Sequence, residues 1–273
     1  MAGKLYVVGT PIGNLGDFSE RARETLEKVD FIAAEDTRVT VKLLNRFDIK
    51  KEMLSYYEHN KNTKGNLIID RLLKGENCAV VSDAGMPAIS DPGEDLVRQC
   101  HEMGIPVESV PGPSAVITAL SISGMPSGRF CFEGFLSVNR ISRREHLEDI
   151  KNEKRTMIFY EAPHKLMATL KDMLSYLGDR RIAVVRELTK IHETVLRTTL
   201  TGAITHFEEN PPKGEFVLIL EGKKDEVKEY TLDDAVTIAK GLISEGQSTS
   251  AAAKEASAVT GIKKGEIYKL VLE

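Results

Sequence analysis

The sequence predicts an α/β protein made of two α/β halves and a small helical appendix, and three observations carry that prediction. Short apolar, β-rich runs alternate with amphipathic helical patterns through the first half, which implies a mainly parallel sheet covered on both faces. The same alternation returns after a Pro- and Gly-rich stretch at residues 111–128. Beyond a charged linker at 221–229 only helical periodicity remains. At 273 residues the chain has room for about two domains with cores of their own. The expected divisions are an N-terminal α/β domain at 1–115, a second α/β domain at 116–222 and a helical domain at 230–273.

Each element has its own signal. Lys4 to Val8 is a short β-rich run stopped by Gly9-Thr10-Pro11-Ile12-Gly13-Asn14. Ser19 reads as an N-cap, with Ala22, Leu26 and Val29 at helical spacing behind it. Phe31 to Ala34 is a second buried strand, ending in Glu35-Asp36-Thr37-Arg38. A helical pattern at Val39 to Phe47 is followed by a strand near Met53 to Tyr57, a helix at Asn66 to Leu73 and a strand at Cys78 to Val81. In the second half, residues 129–132, 157–160, 182–185 and 216–220 read as strands. A helix at His164 to Leu177, closed by Gly178, lies between the second and third of them. Thr194 to Leu200 is β-branched and fits an antiparallel pair. Asp233 to Ser244, Ser248 to Thr260 and Lys263 to Leu272 are three short helices broken by Gly246 and Gly261.

Composition excludes several classes. Hydrophobic residues make up 41% and charged residues 29%, so global disorder, collagen-like repeats and coiled coil do not fit. No apolar run approaches the ~18 residues of a membrane-spanning helix, and the first residues lack signal-peptide anatomy. Three widely spaced cysteines form neither a disulfide framework nor a zinc pattern. A reduced, cytoplasmic protein is expected. The 37 Lys+Arg against 41 Asp+Glu leave a net charge of −4, which argues against indiscriminate nucleic-acid binding.

Three loops after first-half strands concentrate the chemistry, where an open α/β sheet binds ligands. The Gly9–Asn14 loop has two glycines that permit close backbone approach, yet it is neither GxGxxG nor a P-loop. Ser82 to Gly93 interleaves Gly, Pro, Asp and Ser with Met86 and Ile89, as in an apolar pocket wall with a few polar contacts. In Val110-Pro111-Gly112-Pro113-Ser114-Ala115, Ser114 is placed to cap the next helix.

These segments, with Glu35-Asp36-Thr37-Arg38 and Tyr160-Glu161-Ala162-Pro163-His164, resemble the tetrapyrrole methylase-like (class III) S-adenosylmethionine-dependent methyltransferases. The nearest branch is that of the bacterial small-subunit ribosomal RNA (cytidine-2'-O)-methyltransferases. Corrin-pathway members carry Gly-Asp-Pro where this chain has Asp83-Ala84-Gly85, which favours the RNA branch. The resemblance implies a homodimer with S-adenosylmethionine in a cleft between two α/β domains. Its target would be the decoding-site cytidine of 16S ribosomal RNA, position 1402 in the usual count. Carried across residue by residue, Thr10, Pro11, Ile12 and Gly13, Asp83, Ala84, Gly85, Met86 and Ile89, and Ser114 and Ala115 match cofactor-holding positions. Tyr160, Ala162, Leu188 and Gly214 match the loops that close over it.

Methyl transfer to a ribose hydroxyl is an in-line displacement that needs alignment, a group to polarise the attacking oxygen, and no metal. Glu35, Asp36, Arg38 and Glu161 are the catalytic candidates, with the identity of the base left open; Asp36 or Glu35 with Arg38 is equally an ion pair bracing the sheet end. RNA contact is expected from His59 and Asn60, from Arg140, Arg143 and Arg144, and from Lys263 and Lys264 in a helix-turn-helix-like tail with Ala251, Ala252 and Ala256 inside. The alternatives are a methyltransferase of the same fold acting on a tetrapyrrole precursor, and a non-catalytic RNA-binding or ribosome-assembly factor.

Overall fold

The computed structural model describes residues 1–224 and 230–272. The chain divides into two compact units, Met1–Lys223 and Lys224–Glu273, and both sheets lie in the first. The first sheet is formed by β1 (Leu5–Val8), β2 (Phe31–Ala34), β3 (Glu52–Ser55), β4 (Cys78–Val81) and β5 (Val107–Val110), in the order β3-β2-β4-β1-β5. All its pairs are parallel. β5 has no counterpart in the sequence reading, because Glu108 and Ser109 interrupt its apolar pattern and stay exposed at the sheet edge. Connections are α1 (Glu20–Lys28), α2 (Thr37–Arg46), α3 (Lys61–Leu73) and α4 (Gly93–Glu102). β2 and β4 are buried along their whole length, as continuous apolar runs in a parallel sheet should be. Side chains alternate across the sheet. Phe31, Ala33, Cys78 and Val80 pack with Ile68, Leu72 and Leu96, while Ile32, Ala34, Ala79 and Val81 pack with Ala22, Leu26 and Leu44. The Ser19 cap forms as expected, its hydroxyl accepting from the Ala22 N–H at 3.1 Å.

The chain crosses to the second sheet at Pro111–Ser114. The next helix, α5 (Ala115–Ser123), packs Val116, Ala119 and Leu120 against Ile158, Val185 and Val217. That sheet holds β6 (Phe130–Phe135), β7 (Thr156–Glu161), β8 (Arg181–Arg186), β9 (Thr194–Thr199) and β10 (Phe216–Leu220), ordered β6-β7-β10-β8-β9. Helices α6 (Arg140–Asp149), α7 (Pro163–Leu177) and α8 (Leu200–Glu209) cover its other face through Leu147, Leu170, Met173 and Phe207. Here the expectation of a repeated, mainly parallel pattern needs correction. Only β6 and β7 are parallel; the other pairs are antiparallel. The connection from β8 to β9 is too short for a crossover, which forces a reversal. β7, α7 and β8 do form a crossover with codirectional strands, but β10 runs between them in the opposite sense. Periodicity within a strand says nothing about which later strand will insert beside it.

The second unit contains α9 (Leu232–Ser244), α10 (Thr249–Thr260) and α11 (Lys264–Leu272). Ser248 caps α10, and Gly261 ends it in the left-handed conformation with φ +74°. Its core is Ala235, Ala239, Ala252, Ala253, Ala256 and Ile267. Ala251, expected inside, is exposed, and Ala253 takes its place. Most of the charged linker lies outside the described residues.

The first sheet's loops meet where neither chain has a side chain. A Cβ on Gly9 would lie 2.6 Å from Gly112 Cα and 2.7 Å from Met86 Sδ, and one on Gly112 would lie 2.8 Å from Gly9 Cα. Backbone on both sides leaves nothing flexible to give way. Gly9→Ala is therefore expected to lower unfolding stability by about 1–3 kcal/mol, measured as a shift of the urea midpoint; an unchanged midpoint would contradict this close approach.

Candidate functional site

Parallel pairing sends the connections after β1, β2, β4 and β5 to one edge of the first sheet. The segment after β4 is the most constrained. Thr10 and Gly85 exchange backbone hydrogen bonds of 2.9 and 3.2 Å in an isolated antiparallel bridge. The Gly112 N–H donates to Met86 Sδ at 3.2 Å, and the Tyr56 hydroxyl donates to the Pro92 carbonyl at 3.0 Å. Gly85 itself has φ +87°, and a Cβ there would meet Ile12 at 3.3 Å.

A cavity of about 440 Å³ opens against this segment, within the range of small-ligand sites. The first sheet contributes Ile12, Glu35, Ser82 to Met86, Ile89 to Asp91, Ser114 and Ala115. The second contributes Phe135, Tyr160 to Pro163, Val185, Leu188 and Glu215 to Val217. Two of its walls carry strained backbone of the same form. Ala88 and Ser90 have φ of 67° and 65° on either side of Ile89, and Glu187 and Thr189 have φ of 52° and 66° on either side of Leu188. Such residues cost about 1–3 kcal/mol each and persist only when their surroundings hold them. One Asp91 carboxylate oxygen accepts from the Ala88 and Gly93 N–H groups at 2.9 and 2.8 Å. Glu187 accepts from the Glu215 N–H and from Lys190 Nζ, both at 3.0 Å, and Glu193 accepts from the Thr189 N–H at 2.6 Å.

Two acids bridge the ends of β2 and β4. The Asp36 N–H donates to Asp83 at 3.0 Å, and the Asp83 N–H donates to Glu35 at 3.3 Å. Burial raises the Glu35 pKa, and the negative charges of Asp83, Asp91 and Asp36 add to it, against the opposing Asp83 N–H. Burial likewise raises that of Asp83. Glu161 is buried in the opposite wall, one oxygen accepting from the Ala162 N–H at 2.8 Å and the other from the Thr169 hydroxyl at 2.5 Å. It thereby fixes the corner between β7 and α7, where Tyr160 packs on Phe132 and Phe135 with ring centroids 5.0 and 5.4 Å away.

The cavity thus gathers Ile12, Asp83, Ala84, Gly85, Met86, Ile89, Ser114, Ala115, Tyr160, Ala162 and Leu188 from the expected cofactor set, with Glu35 and Glu161 from the catalytic set. Thr10, Pro11 and Gly13 instead line a neighbouring hollow, and Gly214 stands one residue from the wall. Ser114 occupies the N-cap position of α5, but its side chain makes no capping hydrogen bond. Asp36 and Arg38 line neither space. Asp36 caps α2 by accepting from the Arg38 N–H and pairs with the Arg38 guanidinium at 2.7 Å, which holds its carboxyl down at about 2. Sequence reasoning missed Ser90, Asp91, Phe135, Val185 and Glu215 to Val217 as wall residues. The first two sit in a loop already singled out; the others come from strand ends whose direction no periodicity shows.

Of the residues expected to meet RNA, His59 is exposed, while Asn60 is spent on its own turn, accepting from the Tyr57 N–H and donating to the Ser55 carbonyl. Arg143 is held by Asp172 at 2.6 Å and by the Ser137 carbonyl, whereas Arg140 and Arg144 are exposed. Lys263 and Lys264 are exposed in the second unit, with Lys264 donating to Ser250.

Residues 4–204 match the family described as Tetrapyrrole (Corrin/Porphyrin) Methylases. The chain is 46% identical to the ribosomal RNA small subunit methyltransferase I of Synechocystis sp., over 99% of this chain and 98% of that protein. It is 45% identical to the protein of that name from Escherichia coli O157:H7, over 99% and 95%. With the one from Thermotoga maritima it shares 48%, over 81% of this chain and all of that protein. Among solved structures, diphthine synthase superposes with a TM-score of 0.61 at 12% identity, covering 80% of this chain and 90% of that one. Uroporphyrin-III-C-methyltransferase from Thermus thermophilus does so with 0.56 at 18%, covering 80% and 94%. At such identities the likeness is one of fold.

The raised Glu35 pKa fixes the sign of a stability effect. Folding penalises the ionised form, so the penalty is absent below the ordinary value of 4.5 and grows as pH rises through the window above it. Glu35→Gln keeps an acceptor for the Asp83 N–H and removes the charge. Its melting temperature should exceed that of the parent protein at pH 7 to 8 and converge with it near pH 4; a variant less stable at neutral pH would contradict this.

Proposed function

The chain belongs to the tetrapyrrole methylase family, in the branch of the ribosomal RNA small subunit methyltransferases I, and from that premise we propose that it uses S-adenosylmethionine to methylate the 2'-hydroxyl of a cytidine in 16S ribosomal RNA. The observation that carries this reading is the cavity, where apolar walls from both sheets enclose two destabilised carboxylates. Burial makes Glu35 and Asp83 costly as anions, so a cationic ligand offsets that cost. The crossing of Gly9 and Gly112, where a Cβ would fall within 3 Å of backbone, holds in place the Met86 segment that forms part of the cavity wall. The residues therefore fit a sulfonium nucleoside. Ala84 to Met86, Ile89, Ser114, Ala115, Tyr160, Ala162 and Leu188 would hold it.

When bound, the sulfonium supplies an electrophilic methyl group. The chain's contribution is alignment, worth several kcal/mol in a reaction of this kind. Ile89 and Leu188, presented by the two strained loops, line opposite walls and would pack against the bound nucleoside. Glu35, whose pKa lies above the usual carboxylate range, is the base that receives the hydroxyl proton. Glu161 acts at one remove, holding the corner that carries Tyr160 and Ala162. In-line displacement at a methyl group has no step that calls for a metal ion.

The local cations Arg140 and Arg144, set against a net charge of −4, support recognition of one shaped RNA site within the small subunit. No helix among the described residues is long and apolar enough to cross a membrane. We read the protein as cytoplasmic and homodimeric; Val138 and Ile141 are exposed apolar side chains of the kind that self-association covers.

Transfer of labelled methyl to small ribosomal subunits, followed by mapping, should place the label on a ribose 2'-oxygen of a cytidine at the decoding site. Label on a base, or none on RNA, would defeat the reading. Glu35→Gln should lower kcat about 100-fold while calorimetry finds cofactor affinity only modestly weakened, by the loss of one of the two charges that face the sulfonium; full turnover would remove Glu35 from the mechanism. Asp91→Ala releases the Ala88–Ser90 backbone and should weaken cofactor binding about tenfold, about 1.4 kcal/mol.

A further inference from the structure

A second hollow of about 390 Å³ adjoins the cavity, and Ser82 and Asp83 belong to the walls of both. Its other walls come from the loop after β1 and from α2. Leu15, Val39 and Leu43 give it an apolar side, and Leu15 and Val39 remain 47% and 38% exposed. Val39 and Leu43 are one helical turn apart, as are Lys42 and Arg46, which also line the hollow. Neither Lys42 nor Arg46 has an acidic partner among the described residues, although Arg38, one turn earlier on the same row, is paired with Asp36. Asp83, the acid in the wall, lies at the end shared with the cavity and accepts the Asp36 N–H.

We propose that this hollow is a subsite for an RNA nucleotide flanking the one that is methylated, its base against Leu15, Val39 and Leu43 and its phosphate between Lys42 and Arg46. The inference rests on the RNA-methyltransferase reading. An apolar face takes up the flat side of any unstacked base, and two free cations beside it match the phosphate that accompanies that base. The shared wall sets the spacing, because a nucleotide held here is joined through its backbone to one whose ribose enters the cavity. Asp83 at the shared end keeps the phosphate at the outer, basic side.

The test uses the full chain with small ribosomal subunits lacking the methyl group, and separately a labelled oligocytidylate whose binding is followed by anisotropy across a salt series. Lys42→Ala with Arg46→Ala should raise KM for subunits about tenfold and leave kcat within about twofold. It should make the slope of log affinity against log salt shallower by about 1.4. Val39→Gln should raise KM without altering that slope. Calorimetry should find unchanged affinity for S-adenosylmethionine in all three proteins. Unchanged KM and salt slope in the double variant, with normal methyl transfer, would overturn the subsite. Oligocytidylate binding with the expected loss in the double variant, but no methyl transferred by the parent protein, would uphold the subsite and overturn the reading it rests on.

Discussion

The site depends on one steric constraint, the contact of Gly9 with Gly112 beneath the Met86 sulfur. Three connections, from β1, β4 and β5, meet there, with no side chain between those of β1 and β5. The parallel order β4-β1-β5 brings the strand ends together, but only the missing Cβ atoms let the loops touch. Once they touch, the Thr10–Gly85 bridge and the Gly112 N–H to Met86 bond become geometrically available. Ser82 to Pro92 is then anchored at its start by Thr10 and near its end by Tyr56. A long loop is made rigid enough to serve as a binding wall.

Rigidity of this kind is used to store unfavourable arrangements. Ala88, Ser90, Glu187 and Thr189 adopt left-handed backbone without being glycine, and each pair brackets one apolar side chain aimed at the same cavity. The carboxylates Asp91, Glu187 and Glu193 hold those segments through backbone N–H groups. Glu35, half-buried, and Asp83, more exposed, keep opposed pKa pressures because each also accepts a backbone N–H from the other's strand end. In each case stability gained elsewhere in the two cores maintains a local cost that shapes the site.

Charge is arranged in the same economical way. Most acids and bases near the strand ends satisfy one another, as Asp36 does with Arg38 and Arg143 with Asp172. Arg140, Arg144, Lys42 and Arg46 have no acidic partner among the described residues, and Lys42 and Arg46 differ from other such cations in lining one hollow beside an apolar face. Arg38 is the contrary case: conspicuous in the motif Glu35 to Arg38, its guanidinium is committed to Asp36, the cap of its own helix.

Strands β1, β2, β4 and β10, the capped helix α1 and the αL stop at Gly261 were legible because each is set by local chemistry: apolar runs, a serine hydroxyl, a residue without a Cβ. The loops that line the cavity were legible for the same reason, since Gly, Pro and Asp cluster where backbone must turn and meet a ligand. Invisible were the edge strand β5, the insertion of β10 between β7 and β8, the burial of Ala253 in place of Ala251, and the walls at Phe135, Val185 and Phe216. Local chemistry was enough to set most of the elements, the two α/β halves and the family to which they belong. Only the tertiary structure decided which strand ends face one another, which acids are buried and which cations are left unpaired, because those properties belong to pairs of residues far apart in the chain.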